Sequence, residues 1–170
     1  MLIISFFFAS LLFFMILAMI IGAPMVPSNP RVGERMIELL SLKKGQRLYD
    51  LGSGDGRLLI IAAKKGARAI GIEINPYALL WSWIKSILSG QMTKIQFIWG
   101  SYWRINIKNA DAVAVYAMPY VMSRMTQKLQ TELMPGTRVV SNSFQIPGLK
   151  LVKKEILGKD TIYLYRITHN

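Results

Sequence analysis

The sequence predicts an α/β fold: a doubly wound, mostly parallel sheet with an antiparallel C-terminal hairpin, preceded by one transmembrane helix. Three observations predict it. The chain opens with an uninterrupted apolar run, continues with short apolar strands that alternate with helices, and ends with two strands that have no helix between them. Its 170 residues are enough for one cofactor-sized core.

The N-terminal run from Leu2 to Ile21 contains no charged side chain, and the first charged residue is Arg31. A helix of about 20 residues spans roughly 30 Å, the thickness of a bilayer's hydrocarbon core. No basic residue precedes the run and no good cleavage site follows it, which favours a retained anchor over a signal peptide. We therefore predict a transmembrane anchor at 1–23, a Pro-rich linker at 24–30 and a globular domain at 31–170.

The positions of the basic residues predict the orientation of this anchor. All 21 Lys and Arg residues follow the apolar run, so we expect a single-pass membrane protein whose domain faces the cytoplasm. The formal net charge of +12 favours contact with an anionic lipid surface. The same charge would attract nucleic acid, but no RNA-binding module is recognisable, so nucleic acid is not the expected partner.

The domain after the linker alternates helices with strands, as a parallel sheet covered on both faces requires. Helical spacing of apolar residues distinguishes the helices from the strands, and Gly66 and Gly90 mark helix ends. Asn75 and Pro76 mark a helix start as N-cap and first-turn proline. In chain order we predict a helix at 32–40, a strand at 46–51, a helix at 57–65, a strand at 67–73, a helix at 76–90 and a strand at 95–99.

The second half of the domain continues the alternation and then departs from it. Residues 111–116 form an unbroken apolar run, typical of a central parallel strand, and methionines and leucines at helical spacing follow at 122–133. A strand is predicted at 137–142. The last two strands, at 149–156 and 161–167, flank Gly158-Lys159-Asp160 and predict a closing hairpin.

The composition excludes several kinds of site. The chain has no Cys, and its single His is His169, next to the C-terminus. A disulfide framework and a Cys/His metal site are therefore excluded, and we expect no metal. The chemistry must come from carboxylates, backbone groups and a bound cofactor.

A glycine-rich loop follows the first strand of the predicted sheet. Its glycines, Gly52, Gly54 and Gly56, lack the Cβ atoms that would keep a ligand from the backbone, and they permit a tight turn. Dinucleotide-binding loops place the third glycine one position later, where this chain has Arg57, and no Gly-Lys-Ser/Thr phosphate loop is present.

Two acids accompany the loop. Glu73 ends the second strand, where an acid can accept hydrogen bonds from ribose hydroxyls, and Asp50 ends the first strand, where it can orient the loop and attract an ammonium group. A ligand with adenosine at one end, a cation in the middle and an amino acid at the other suits both. The sequence therefore predicts S-adenosylmethionine as the cofactor.

These residues also carry a family resemblance. The segment 50–56, Asp-Leu-Gly-Ser-Gly-Asp-Gly, together with Glu73, resembles the first two motifs of seven-β-strand, class I methyltransferases, whose sheet is Rossmann-like. Three further features narrow the resemblance: Gly71-Ile-Glu-Ile-Asn-Pro76, Trp103 and Met118-Pro119. With them, the chain is similar to the membrane-associated lysine methyltransferases that modify the ATP synthase c-subunit and the adenine nucleotide translocase.

The resemblance implies roles for particular residues. Asp50, Gly52, Gly54 and Gly56 would line the methionine end of the cofactor, with Ser53 beside them; Glu73 would hold the ribose and Ile74 would flank the adenine. Ser101 stands where the family usually carries an acid that contacts the adenine amine, and Tyr102 follows it as a further candidate.

The residues that bind the methyl acceptor are predicted to follow the fourth strand. Pro119 and Tyr120 occupy the position where this fold presents its acceptor-side residues, and they are the candidates for the acceptor channel, with Tyr102 and Trp103 as a wall. Burial beside a sulfonium lowers the pKa of a lysine, so no dedicated strong base is required. We therefore expect methylation of lysine on a membrane-associated protein.

Three other functions stay open: methylation of a lipid or quinone-type small molecule, methylation of RNA, and a non-catalytic cofactor-binding role.

Some residues are expected to be structural. Asp111 lies at the opposite edge of the sheet from the loop, and Trp81 and Trp83 are expected to pack in the core or on a membrane surface.

Overall fold

The computed structural model describes residues 2–22 and 29–168. Two short 3₁₀ turns, Met92–Lys94 and Pro119–Val121, accompany the regular elements. The helices and strands are α1 Leu2–Ile21, α2 Pro30–Leu40, β1 Arg47–Leu51, α3 Arg57–Lys64, β2 Arg68–Glu73, α4 Pro76–Leu88, β3 Ile95–Trp99, β4 Ala112–Val115, α5 Met122–Glu132, β5 Arg138–Asn142, β6 Lys150–Leu157 and β7 Asp160–Arg166.

Within the described residues the strands form one seven-stranded sheet in the order β3-β2-β1-β4-β5-β7-β6. Strands β1 to β5 are parallel, whereas β7 pairs antiparallel with β5 and with β6. The predicted Rossmann-like sheet and its C-terminal hairpin are thereby confirmed. Because β1 is central, its carboxyl end lies between those of β2 and β4, where this class of sheet binds ligands.

The strands alternate their side chains between two cores. One face of the sheet carries Leu51, Val113 and Val115 against α5, and the other carries Leu48, Ala112 and Ala114 against α2 and α3. Such continuous apolar strands are expected where helices cover both faces of a parallel sheet. This packing fixes the carboxyl ends of the strands, and with them the candidate site.

Helix α2 begins at Pro30, and its N-cap Asn29 accepts the backbone N–H of Arg31 at 3.0 Å. Its buried residues include Val32, Met36, Ile37 and Leu40, which confirms the predicted amphipathic helix. Residues 24–28 of the predicted Pro-rich linker lie outside the described residues.

Helix α1 covers most of the predicted transmembrane anchor at 1–23. Nevertheless, within residues 2–22 and 29–168, no helix combines the length and apolarity needed to traverse a membrane. The prediction of a transmembrane helix is therefore not confirmed. The last turn of α1 packs on the domain instead: Ala18 is buried, the Tyr120 hydroxyl donates to the Met19 carbonyl, and Met118 N donates to the Gly22 carbonyl at 2.8 Å.

Candidate active site

The glycine loop connects β1 to α3 and is held against β2. Gly52 N and Ser53 N both donate to the Ile72 carbonyl, at 2.9 and 3.0 Å. Gly52, Gly54 and Gly56 have φ angles of 85°, 51° and 74°, a backbone region that strongly favours glycine. A Cβ built on Gly54 would meet no atom within 4 Å, so the backbone there borders open space. The loop thus presents bare peptide groups to a ligand, as predicted.

Glu73 links β2 to this loop. Its Oε2 accepts the Gly54 backbone N–H at 2.8 Å, and its Oε1 accepts those of Ile74 and Asn75 at 2.9 and 2.8 Å. The structure therefore brings the loop and the acid together, as the sequence predicted. A carboxylate has about four lone-pair positions, so these three bonds leave about one for a ribose hydroxyl, and a second hydroxyl must displace a backbone donor.

Asp50 lies at the methionine end of the predicted cofactor site and is buried. Its burial raises the pKa of the carboxyl to about 7, and the nearby carboxylates of Glu73 and Asp55 act in the same direction. A cation placed beside Asp50 would stabilise its ionised form. This is the behaviour expected of an acid that receives the ammonium group of an amino-acid ligand.

Ser53 places a further polar group in the loop. Its Oγ is buried, and it has no hydrogen-bond partner among the described residues. Buried hydroxyls are normally satisfied, so this one is available to a ligand that enters the loop. The same hydroxyl lies 2.7 Å from a Cβ built on Gly71, which explains why β2 carries a glycine at that position.

Asp55 fastens the loop to α4. Its carboxylate accepts hydrogen bonds from the Arg57 guanidinium and, at 2.8 Å, from Lys85 Nζ. Partial burial alone would raise the pKa of Asp55, but the bonds from Arg57 and Lys85 outweigh it and hold that pKa at about 2. The role of Lys85 could not be predicted from the sequence, because nothing in the spacing of two residues 30 positions apart indicates a contact.

The adenine side contains an aromatic residue that the sequence did not single out. Trp99 ends β3 directly beside Glu73 in the sheet register, and its indole Nε1 donates to the Ile74 carbonyl at 3.0 Å. Its side chain is 65% exposed although it ends a strand. Trp99 therefore extends the wall that Ile74 was predicted to form, and the strand register is the signal that could have found it.

Ser101 and Tyr102, the predicted cofactor contacts, follow β3 closely, and their contact with the cofactor stays a prediction. Ser101 lies in the loop after β3, where its Oγ accepts the Trp103 backbone N–H at 3.4 Å. Tyr102 is buried in the core that faces α5. Burial raises the pKa of its phenol above the usual value, and the electrostatic neighbours of that phenol include Tyr120 and Glu73. The ring of Tyr102 is thus part of the core, and its centroid lies 4.7 Å from that of Trp103.

The predicted acceptor residues form the 3₁₀ turn after β4. Tyr120 is exposed, and its hydroxyl contacts the end of α1. Pro119 is exposed and lines an open groove together with Met122, Ser123, Phe144, Gln145 and Pro147. Trp103 lies under the guanidinium of Arg124, 4.2 Å from the ring centroid, a favourable cation–π contact. That Trp103 forms part of the acceptor wall stays a prediction.

The structure also gives the positions of Asp111, Trp81 and Trp83. Asp111 Oδ2 accepts the Arg47 backbone N–H at 2.7 Å, at the start of β1, so this acid is structural and far along the strand from the loop. Trp81 and Trp83 are exposed, which excludes the core as their location. No cluster of metal ligands occurs in the part of the chain that the structure describes.

The site fits the predicted cofactor at three points: bare backbone at Gly54, a buried acid at Asp50 and an unsatisfied hydroxyl at Ser53. With the seven-stranded sheet, these features define a class I S-adenosylmethionine-dependent methyltransferase. The comparison with known proteins agrees. The family model described as the ANTKMT methyltransferase domain matches residues 50–153, and the chain belongs to that family.

Individual relatives support the same assignment. The chain is 34% identical over 152 residues to a protein-lysine N-methyltransferase of Saccharolobus islandicus, covering 85% of this chain and 93% of that protein. It is 32% identical over 142 residues to the ATP synthase c-subunit lysine N-methyltransferase of Rattus norvegicus, covering 84% of this chain but only 65% of that one.

A solved structure is also similar. It is the crystal structure of an RNA methyltransferase from Salinibacter ruber in complex with S-adenosyl-L-homocysteine. The TM-score is 0.82 at 34% identity, and the match covers 85% of this chain and 95% of that one. The protein is therefore a methyltransferase, and S-adenosylmethionine is its cofactor.

Proposed function

We propose that this methyltransferase methylates lysine on a membrane-associated protein. The observation that carries the proposal is the similarity to the archaeal protein-lysine N-methyltransferase, because the match spans nearly the whole of both chains. The vertebrate relatives named for the ATP synthase c-subunit support a membrane protein as the acceptor, although this chain spans only 65% of the rat protein.

The geometry is compatible with lysine chemistry. The cofactor supplies a methyl group on a cationic sulfur, and the acceptor amine must be neutral and in line with that group. A lysine in water has a pKa of about 10.4, so the site must favour loss of its proton. Burial beside a positive charge does this, and the Tyr120 phenol and the carbonyls after β4 would align the amine.

The membrane part of the proposal depends on α1. Its side chains include exposed Phe6, Phe8, Leu12 and Phe13, which leave a large apolar surface without protein cover. Such a surface is unfavourable in water and favourable in lipid. Together with the net charge of +12, this supports attachment to an anionic membrane, with the domain on its cytoplasmic side.

A methyl-transfer assay on membranes tests the function. The purified full chain is incubated with methyl-labelled S-adenosylmethionine and membranes from the source cells, and the label is located by mass spectrometry. Methyl-lysine in a membrane polypeptide is the expected result. The Glu73→Gln variant should lose the activity, whereas Asp111→Asn, which removes an acid at the opposite end of β1, should keep it. Label that appears only in extractable lipid would contradict the proposed acceptor.

RNA methylation is the second candidate, and one observation favours it: the similar protein from Salinibacter ruber is described as an RNA methyltransferase. The positive net charge is compatible with it. An RNA acceptor predicts retention of RNA that weakens steeply with salt, and label in RNA that is removed by nuclease. Protease-sensitive, nuclease-resistant label would instead support the lysine acceptor.

A further inference from the structure

Helix α4 has the reverse of the usual amphipathic arrangement. Its buried residues are small: Ala78, Ser82 and Ser86. Most of its large apolar residues are exposed, whereas Leu79 and Ile84 are half-buried. We define the α4 outer face as the exposed set Leu80, Trp81, Trp83, Ile87 and Leu88. A helix of a water-soluble domain normally turns its large apolar residues toward the core. This outer face is therefore not explained by the stability of the domain.

The inward face of α4 is small because the helix packs tightly beside the glycine loop. A Cβ built on Gly56 would lie 1.8 Å from Ser82 Oγ, so larger side chains have no room there. The fold thus requires a small residue at position 82, but this contact places no such demand on the opposite face of the helix. Leu88 is 81% exposed and Trp81 is 55% exposed, and polar residues would satisfy the fold at both positions.

The start of α4 also contacts α1. Tyr77, in the first turn of α4, joins the two helices: the rings of Phe7 and Phe14 lie 5.3 and 6.2 Å from its ring. The Ser10 hydroxyl also contacts the Tyr77 hydroxyl. Phe7 and Phe14 of α1 therefore pack on the first turn of α4, and the α4 outer face begins at Leu80, one turn further along that helix.

We propose that the α4 outer face enters the boundary between headgroups and acyl chains of an anionic bilayer, as a second membrane contact beside α1. The proposal rests on the membrane attachment proposed above. Two tryptophans favour a bilayer as the occupant, because indole prefers this boundary, where its ring is buried and its N–H stays hydrated. The net charge of +12 favours anionic headgroups.

This contact has a consequence for the reaction. Helix α4 starts at Pro76, two residues after Ile74, so the adenine side of the site lies at the end of the helix that would contact lipid. A domain that contacts the membrane through both α1 and α4 has its orientation fixed at two places, which restricts tilting more than contact through α1 alone. A fixed orientation would present the Pro119–Tyr120 turn to lysines at a constant height above the bilayer.

The chain has no cysteine, so a single introduced cysteine can be labelled without removing others. We would attach a polarity-sensitive fluorophore to Leu88→Cys, on the α4 outer face, to Leu12→Cys, on exposed α1, and to Val152→Cys, on the distant edge strand β6. All three positions are exposed, and thermal unfolding would verify that each labelled full chain folds. Each is mixed with vesicles of phosphatidylcholine, with or without phosphatidylglycerol.

With phosphatidylglycerol present, the labels at positions 88 and 12 should show a blue shift and a several-fold rise in emission, while the label at 152 should not change. A label at 88 that stays in water while the label at 12 enters lipid would overturn the α4 contact and leave membrane attachment by α1 intact. If neither enters lipid, membrane attachment itself fails, whatever the methyltransferase assay shows. A blue shift at 88 without lipid, accompanied by dimers in sedimentation, would identify a second copy of the chain as the occupant and contradict the proposal.

Discussion

Gly56 and Ser82 approach each other so closely that a Cβ on Gly56 would lie 1.8 Å from Ser82 Oγ. This contact joins the glycine loop to α4. It explains both why the third glycine of the loop is required and why α4 presents small residues to the domain. The contact also gives the first prediction, because two separate effects oppose any side chain at position 56.

Gly56→Ala should destabilise the domain. The backbone has φ 74°, so alanine costs about 1–2 kcal/mol from conformation alone, and overpacking against Ser82 should add roughly 1–3 kcal/mol. Urea unfolding measures the change. Gly158→Ala is the matched control: Gly158 has φ 64°, but a Cβ there meets nothing within 4 Å. Equal losses for the two variants would contradict the overpacking.

Glu73→Gln should weaken cofactor binding strongly. The carboxylate accepts three backbone N–H groups, and a glutamine must turn its amide NH₂ toward at least one of these donors. Loss of a charge-assisted hydrogen bond costs about 1.5–3 kcal/mol, equivalent to roughly 10- to 150-fold in affinity. Calorimetric titration with S-adenosylhomocysteine measures it.

The control for this variant is Asp111→Asn, which also replaces an acid that accepts a backbone N–H, at the other end of β1. This variant should reduce the stability of the domain and leave the dissociation constant of S-adenosylhomocysteine unchanged. If Glu73→Gln binds like the parent chain, Glu73 is not the residue that holds the ribose.

Much of this site is predictable from sequence, for a physical reason. Parallel strands that follow each other along the chain end at the same edge, so a glycine loop after β1 and an acid at the end of β2 must meet. The contacts that the sequence did not reveal depend on packing between distant residues. The Lys85–Asp55 pair and the packing of α1 on Tyr77 have no periodic signal. The small inward residue Ser82 of α4 follows from the Gly56 contact, which no spacing in the sequence indicates. From the sequence, Trp81 and Trp83 could therefore be placed only in the core or on a membrane surface.

Asp50 should make cofactor binding depend on pH near neutrality. Its pKa is raised from 3.8 to about 7 in the folded protein, chiefly by burial. The ammonium group of the cofactor favours the ionised form, so binding should tighten as pH rises from about 6 to about 8. Asp50→Asn should bind more weakly and with little pH dependence over this range, as titration calorimetry at several pH values would measure. A parent chain with a flat profile would contradict the role.

The raised pKa of Asp50 also predicts how the stability of the ligand-free protein depends on pH. Between about pH 4 and pH 7 the folded Asp50 holds a proton that the unfolded chain has lost, so its contribution to stability decreases as pH rises through this window. The free energy of unfolding of the parent chain relative to Asp50→Asn should fall from about pH 4 to about pH 7 and then level off. Urea unfolding at intermediate pH values measures this difference.

Lys85→Met should weaken cofactor binding indirectly. Lys85 Nζ lies 2.8 Å from the Asp55 carboxylate and so holds this residue of the glycine loop in place. Both partners are partly exposed, so solvent screening limits the effect to about 0.5–1 kcal/mol, a two- to five-fold rise in the dissociation constant. Lys65→Met is the matched control, since Lys65 pairs with Glu38 on the surface, away from the loop. Lys85→Arg, which keeps the charge, should restore most of the affinity. A loss of stability equal in the two methionine variants, with no difference in cofactor binding, would show that the Lys85–Asp55 pair is only a surface ion pair.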